Sequence, residues 1–181
     1  MSATVKAENR DGILVLTIDN PPVNALSHSV RVGLQEELAK AKNDAGIKAI
    51  VLRSEGDKAF CAGASFDEMK AVADAPSGKE FFSGFAKVIL AMTRAPQLVI
   101  ARVQGRTTGG GVGLVAASDY AMAVGDASIK LSELAVGLGP FVIGPVVERM
   151  VGRGPFAPMA VDADWRDAEW AERHGLYARV F

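Results

Sequence analysis

Apolar residues recur along the chain in two alternating patterns, short unbroken runs and stretches with helical spacing. The runs at residues 12–19, 48–53 and 98–103 are bounded by polar, glycine or proline residues, as buried strands are. Residues 30–42 instead carry apolar side chains at helical spacing, and Ser27 stands where it can cap that helix. A strand, a helix and a strand in this order predict a parallel pair with a right-handed crossover.

The alternation continues to the end of the chain. Further helices are predicted over 80–93, 112–118, 142–151 and 165–174, further strands over 120–124 and 128–131, and a loop over 74–78. No linker or internal repeat interrupts these units. The pattern predicts one α/β domain over residues 1–181, built from repeated strand-helix units.

Composition narrows the function classes. The 181 residues are 49% hydrophobic and 23% charged, with a net charge of -1 and no long basic run, so neither nucleic acid nor an anionic membrane is an expected partner. One cysteine excludes an internal disulfide, and two histidines give no metal-ligand spacing. The polar N-terminus is not a signal peptide and no apolar run has membrane-spanning length, so the expected location is cytoplasmic.

The segment that the other units surround contains three consecutive glycines, Gly109, Gly110 and Gly111, between a strand and a helix. Ordering glycine is costly, so this backbone is expected to come very close to another group. The first N–H groups of a helix lack partners within it and lie at its positive end, where they suit an anion or a developing oxyanion. Tight packing of the helix on the strand explains the triplet equally well.

Other motifs are weaker. The glycine spacing fits neither a dinucleotide fingerprint nor a triphosphate loop. Cys61 is either a nucleophile or, as is usual for a lone cysteine at a strand end, a small buried apolar residue. His174 precedes a glycine that ends a predicted helix, a position typical of a C-terminal cap rather than a ligand.

Two segments resemble the signature regions of the crotonase superfamily, the enoyl-CoA hydratase/isomerase family: AFCAGASFDEM (59–69) and VQGRTTGGGVGLVAASD (103–119). NPPVNAL (20–26), KLSELAVGLG (130–139) and residues 167–180 resemble further family segments in the same order. The resemblance implies a crotonase-like (ClpP/crotonase) spiral of strand-helix units and a site for CoA thioesters. Coenzyme A would be part of the substrate, with no separate cofactor and no metal.

The resemblance also assigns site residues. Ala64 and Gly110 match the two residues whose backbone N–H groups form the family's oxyanion hole. The backbone around Cys61, Ala62 and Ala64 is similar to the turn that contacts the adenine of CoA. Residues 66–90 correspond to the wall of the acyl pocket, although their aromatic side chains are equally typical of ordinary core.

The hydratases of this family use two glutamates, since adding water needs one group for the water and another for the α-carbon. The first position is Gly113 here, and the second is Glu133, which is otherwise an exposed loop carboxylate. One general acid/base favours double-bond isomerisation over hydration, and burial is expected to raise the pKa of Glu133. A glutamate introduced at Gly113 is expected to add hydratase activity. The alternative is a non-catalytic crotonase-fold protein that binds CoA thioesters or a protein partner.

Family members usually continue into C-terminal helices that cover the active site and form trimers. The resemblance implies that residues 1–181 lack this part, which would leave apolar surface uncovered. An acyl-CoA or enoyl-CoA substrate and a homo-oligomer, a trimer or a multiple of one, are therefore expected.

Overall fold

The computed structural model of the chain describes residues 4–181, whose strands form two sheets. These strands are β1 (Thr4–Arg10), β2 (Ile13–Asp19), β3 (Ala49–Ser54), β4 (Ala59–Cys61), β5 (Leu98–Val103), β6 (Arg106–Thr108), β7 (Tyr120–Ala123), β8 (Ser128–Lys130), β9 (Arg166–Asp167) and β10 (Arg179–Val180). The larger sheet has the order β1-β2-β3-β5-β7-β10 and the smaller sheet β4-β6-β8-β9. β2 and β3 pair in parallel, which confirms the pairing predicted for the first strand-helix-strand unit.

Helices connect most of these strands, so the predicted α/β alternation is confirmed. They are α1 (His28–Lys42), α2 (Phe66–Lys70), α3 (Ala75–Thr93), α4 (Gly110–Ala117), α5 (Gly144–Val151), α6 (Arg153–Asp162) and α7 (Ala168–Arg173), with a single 3₁₀ turn at Leu134–Val136. α1 begins as its sequence predicts, because the Ser27 hydroxyl accepts a hydrogen bond from the Val30 amide at 3.4 Å. Its apolar face, which includes Leu34 and Leu38, is buried in the core.

α4 is the most deeply buried helix of those that bear on the site. Every residue from Gly111 to Ala117 is buried, and the helix contains no charged side chain. It packs against α3 and α5 and against the strands β4 and β6 of the smaller sheet. Its first turn is therefore fixed from several sides at the point where β6 ends.

The structure corrects the boundaries of three predicted elements. Residues 74–78 are not a loop: Asp74 caps α3 by accepting the Ser77 amide at 2.9 Å, and the proline of this stretch lies in the first turn, where it costs no hydrogen bond. The helix predicted over 142–151 begins at Gly144, and the one predicted over 165–174 begins at Ala168, after β9.

β1 and α6 are the two longest elements without a counterpart in the predictions. β1 is an edge strand that pairs only with β2 in its sheet, and its side chains are mostly exposed, so it shows no apolar alternation. α6 follows directly from Gly152 and contains Pro158, which are both signals for a break rather than for a helix.

Candidate active site

The glycine triplet forms a turn in which each residue has a different task. Gly109 follows β6 and precedes α4 with φ 49° and ψ -120°, a conformation that residues with side chains rarely adopt, and its amide donates to the Lys130 carbonyl at 2.9 Å. Gly111 is needed for close packing, since a Cβ atom there would lie 2.6 Å from the carbonyl oxygen of Cys61. Gly110, between them, is the first residue of α4 and lines a cavity. Both interpretations of the triplet therefore apply: Gly111 allows close packing, and Gly110 provides the free start of a helix.

A second turn, at Gly63 and Ala64, lies against the first. Gly63 has φ 78°, and a Cβ atom on it would lie only 3.1 Å from the Gly110 nitrogen. The Leu26 amide donates to the Gly63 carbonyl at 2.7 Å. Neither the Ala64 amide nor the Gly110 amide donates to any acceptor within residues 4–181. The two turns thus bring two unpaired N–H donors to one place.

Asn24 ties the second turn to the rest of the fold. Its side chain is 3% exposed, and its amide nitrogen donates to the carbonyls of Glu55 at 2.8 Å and Ala59 at 2.9 Å. Its amide oxygen accepts from the Asn20 N–H at 3.1 Å. The residue also has φ 54°, which asparagine tolerates better than most residues. The loop that precedes α1 is consequently held beside β4, just before the turn at Ala64.

Glu133 lies between β8 and the 3₁₀ turn and faces the first glycine turn. Its Oε1 atom would be 3.1 Å from a Cβ atom on Gly109, and its Oε2 atom is buried without a hydrogen-bond partner in the described part of the chain. Burial raises the pKa of Glu133 above the ordinary value of a glutamate, although the backbone amides of Ser132 and Glu133 partly oppose the shift. This direction agrees with the expectation from the sequence. The side chain is not the exposed loop carboxylate of the alternative interpretation.

Ala62, Ala64, Gly110 and Glu133 line one cavity of about 450 Å³. Glu133 is the one ionisable side chain among its lining residues, within the part of the chain described. The aromatic and thioether side chains on its wall are Phe66, Met69, Phe81, Phe82, Phe85 and Phe141. The cavity therefore combines a long apolar wall with two backbone donors and one carboxylate, the combination expected of a small-molecule site.

The aromatic part of the wall is supported from behind by Arg31. Its guanidinium lies 4.9 Å from the ring centre of Phe81 and 4.5 Å from that of Phe85. Arg31 also donates to the Leu26 carbonyl at 3.0 Å and pairs with Glu68 on α2 at 3.1 Å. The predicted wall segment, 66–90, is thus both core and pocket, since Phe81 and Phe85 are buried and also line the cavity.

Two residues that the sequence placed at the site lie outside the cavity wall. Cys61 is fully buried, and burial raises the pKa of its thiol to about 12, so the interpretation as a buried apolar residue is correct. Gly113 does not line the cavity either, because Ile143 occupies the space in front of it: a Cβ atom on Gly113 would lie 2.5 Å from Ile143 Cγ2. A glutamate at position 113 would therefore reach the acyl group only if Ile143 moved, and the gain of hydratase activity stays a prediction.

Ile143 and Phe141 are lining residues that the sequence did not reveal. The predicted helix over 142–151 includes Ile143 in its first turn, but in the structure Ile143 is the residue that precedes α5. The Gly139-Pro140 dipeptide, typical of a turn, was the available signal that the chain changes direction here.

Residues 4–181 give no sign of a metal centre or a membrane span. No group of three or more His, Cys, Asp and Glu side chains among them is arranged to hold an ion. None of their helices combines the length and apolar character required to cross a bilayer.

Comparison with known proteins gives concordant matches. A family model described as enoyl-CoA hydratase/isomerase matches residues 8–181. A peroxisomal bifunctional enzyme of Cavia porcellus is 34% identical over 151 residues, which are 83% of this chain and 20% of that protein. A crotonyl-CoA hydratase of Syntrophomonas wolfei is 29% identical over 175 residues, which are 96% of this chain and 67% of that protein.

A solved structure agrees at the level of the fold. The crystal structure of an enoyl-CoA hydratase from Mycobacterium smegmatis matches with a TM-score of 0.93 at 36% identity, covering 97% of this chain and 69% of that one. This superposition confirms the spiral α/β fold predicted from the sequence. The chain spans only part of the length of each of these relatives, and as little as 20% of the first.

Proposed function

Because this chain belongs to the enoyl-CoA hydratase/isomerase family, we propose that it acts on an acyl-CoA or enoyl-CoA thioester through an enolate. The observation that carries the proposal is the convergence of two unpaired backbone donors and one buried carboxylate on a single apolar cavity. The donors are the amides of Ala64 and Gly110, and the carboxylate is Glu133. The reaction favoured by this set is movement of a double bond, not addition of water.

The two amides would bind the thioester oxygen. Removing a proton from the α-carbon moves negative charge onto that oxygen, and donors already fixed in place stabilise the charge as it forms, by a few kcal/mol each. The Gly110 amide is the stronger candidate for this task, because it also lies at the positive end of α4. The rigid contact between the two turns would keep both donors aimed at one point.

Glu133 would carry the proton between carbon atoms. In a thioester with a β,γ double bond, the carboxylate takes a proton from the α-carbon, and the electron pair of that C–H bond passes into a dienolate. The protonated carboxyl then returns the proton to the γ-carbon, which leaves an α,β double bond and the original carboxylate. A raised pKa of Glu133 suits both proton transfers, since the carboxyl group must accept a proton and release it at nearly neutral pH.

The cavity wall favours an uncharged, apolar acyl group. Apart from Glu133, its lining side chains in the described residues carry no charge, so a second carboxylate on the substrate would face Glu133 without a cation to pair with. Aromatic side chains from α2 and α3 would instead bury hydrocarbon. The CoA part is expected to contact the backbone around Cys61, Ala62 and Ala64. A trimeric assembly and a cytoplasmic location stay predictions.

Turnover in deuterated buffer tests this proposal. Incubation with a 3-enoyl-CoA should give the conjugated 2-enoyl-CoA, seen by its ultraviolet absorbance, with the substrate's own α-proton transferred to the γ-carbon, little deuterium from solvent and little 3-hydroxyacyl-CoA. Titration with acetyl-CoA in a calorimeter should show saturable binding. Binding without turnover of any enoyl-CoA would support the non-catalytic alternative, and the absence of both would contradict the proposal.

A further inference from the structure

Ile143 closes the side of the cavity that lies over α4. Its side chain is 3% exposed, it lines the cavity, and it lies between the cavity and Gly113. A Cβ atom on Gly113 would lie 2.5 Å from Ile143 Cγ2 and 3.0 Å from Ile143 Cβ. Because such contacts are shorter than van der Waals packing allows, no side chain fits at position 113 unless Ile143 moves.

The surroundings of Ile143 are fixed and apolar. The Val147 amide donates to the Ile143 carbonyl at 3.1 Å, and the Gly144 amide donates to the Pro140 carbonyl at 2.6 Å, so the backbone at the start of α5 is held. Ile89 on α3 is the other neighbour, since its Cδ1 atom would be 3.5 Å from the same Cβ atom on Gly113. Two isoleucine side chains therefore enclose this position and offer it no polar atom.

The apolar wall at Ile143 affects whether a water molecule can be bound beside the acyl group. A buried water molecule needs two to four polar partners, and apolar cavities of moderate size stay dry. Glu133 is the one ionisable side chain lining the cavity in the described residues, and the wall formed by Ile143 supplies no second partner. Among the lining side chains, a water molecule beside Ile143 would thus find polar partners only in Glu133 and its neighbour Ser132, and Ile143 itself would offer it none.

We propose that Ile143 is a specificity-determining residue that keeps water away from the acyl group and so restricts the site to proton transfer between carbon atoms. This inference rests on the proposed function, in which Glu133 is the proton carrier. Hydration would need a different set of groups. The water oxygen bonds to the β-carbon and gives a proton to one carboxylate, while the α-carbon takes a proton from another acid.

The test compares Gly113→Glu with the double variant Gly113→Glu/Ile143→Ala, using crotonyl-CoA as substrate and chromatography of 3-hydroxyacyl-CoA as the readout. The double variant should hydrate crotonyl-CoA at least about 10²-fold faster than the single variant, since a correctly placed acid/base contributes that much or more. Gly113→Gln/Ile143→Ala is the uncharged control. Gly113→Glu/Val147→Ala is the packing control, because Val147 is buried on α5, the helix that Ile143 precedes, and does not line the cavity.

A stability measurement keeps the inference testable if the single variant fails to fold. Gly113→Ala should lower the melting temperature of the parent protein, and clearly less so in the Ile143→Ala background. Equal losses in the two backgrounds, or equal hydration by the double variant and its packing control, would overturn the inference.

The experiments distinguish a failure of the proposed function from a failure of the role of Ile143. If the parent isomerises 3-enoyl-CoA and the folded double variant gains no hydration, the role of Ile143 is wrong and the proposed function stands. If the parent turns over no enoyl-CoA and the double variant nevertheless hydrates crotonyl-CoA, the isomerase assignment is wrong, while the exclusion of water and of a side chain at position 113 by Ile143 stands.

Discussion

Replacing Glu133 by glutamine separates the chemical role of this side chain from its place in the fold. The change keeps the size of the side chain and removes its ability to exchange a proton. General acid/base groups contribute about 10² to 10⁴ in rate, which corresponds to about 2.7 to 5.5 kcal/mol of activation free energy. We therefore expect isomerase turnover to fall by that factor, while acetyl-CoA affinity changes little, because binding relies on the amides of Ala64 and Gly110.

The substitution that lowers the turnover should not lower the stability of the folded protein at neutral pH. Burial raises the pKa of Glu133, so the folded protein holds this proton more tightly than the unfolded chain does. The carboxyl group thus contributes stability while it is protonated, below its unfolded pKa, and this contribution is lost as the pH rises through the raised folded-state pKa. At neutral pH the glutamine variant should have a free energy of unfolding equal to or above that of the parent. The difference should narrow toward acid pH.

The assays are turnover of a 3-enoyl-CoA and urea denaturation, each measured at neutral and acid pH. Glu36→Gln is the matched control, because Glu36 is exposed on α1 and does not line the cavity. Full activity in the Glu133→Gln variant would refute the assignment of the base. Lost activity together with a lower free energy of unfolding would show that Glu133 acts through the fold instead.

Three further predictions concern the scaffold. Gly111→Ala should lower the free energy of unfolding, measured by urea denaturation, by about 1 to 2 kcal/mol, because overpacking against the Cys61 backbone outweighs the better helix propensity of alanine. Gly154→Ala is the control and should cost nothing, since the space around Gly154 is open. Asn24→Ala should cost about 1 to 3 kcal/mol by the same measurement and weaken acetyl-CoA binding, because the Glu55 carbonyl loses its donor and the Ala59 carbonyl keeps only the longer bonds from Ser54 and Gln104. Unchanged affinity would contradict its positioning role. Sedimentation should show self-association at micromolar concentration, because large apolar side chains lie on the surface, such as that of Phe141, which is 86% exposed. A protein that sediments as a monomer would contradict the predicted self-association.

Local sequence signals predicted the elements that carry strong periodicity or clear caps. α1 begins after Ser27 and β5 spans Leu98–Val103, both as expected, because each pattern is determined by residues near in sequence. The start of α3 was missed for a local reason as well. Asp74 and the proline that follows resemble a turn, but the same residues cap and begin a helix when an apolar face follows.

The site was predictable as far as it follows from single segments. Ala64, Gly110 and Glu133 each stand in a recognisable motif, and all three line one cavity in the structure. The relation between Gly113 and Ile143 was not predictable, because it depends on how α5 packs over α4. The family resemblance placed position 113 at the site, and only the tertiary contact shows that the side chain of Ile143 fills the space in front of it.

The most direct test of the account is a crystal structure of the protein with a CoA thioester bound. We expect the thioester oxygen to lie about 2.7 to 3.1 Å from the backbone nitrogens of both Ala64 and Gly110. The Glu133 carboxylate should contact the α-carbon of the acyl group, and no ordered water should lie against Ile143. A thioester oxygen bound elsewhere, or an acyl group out of reach of Glu133, would contradict it.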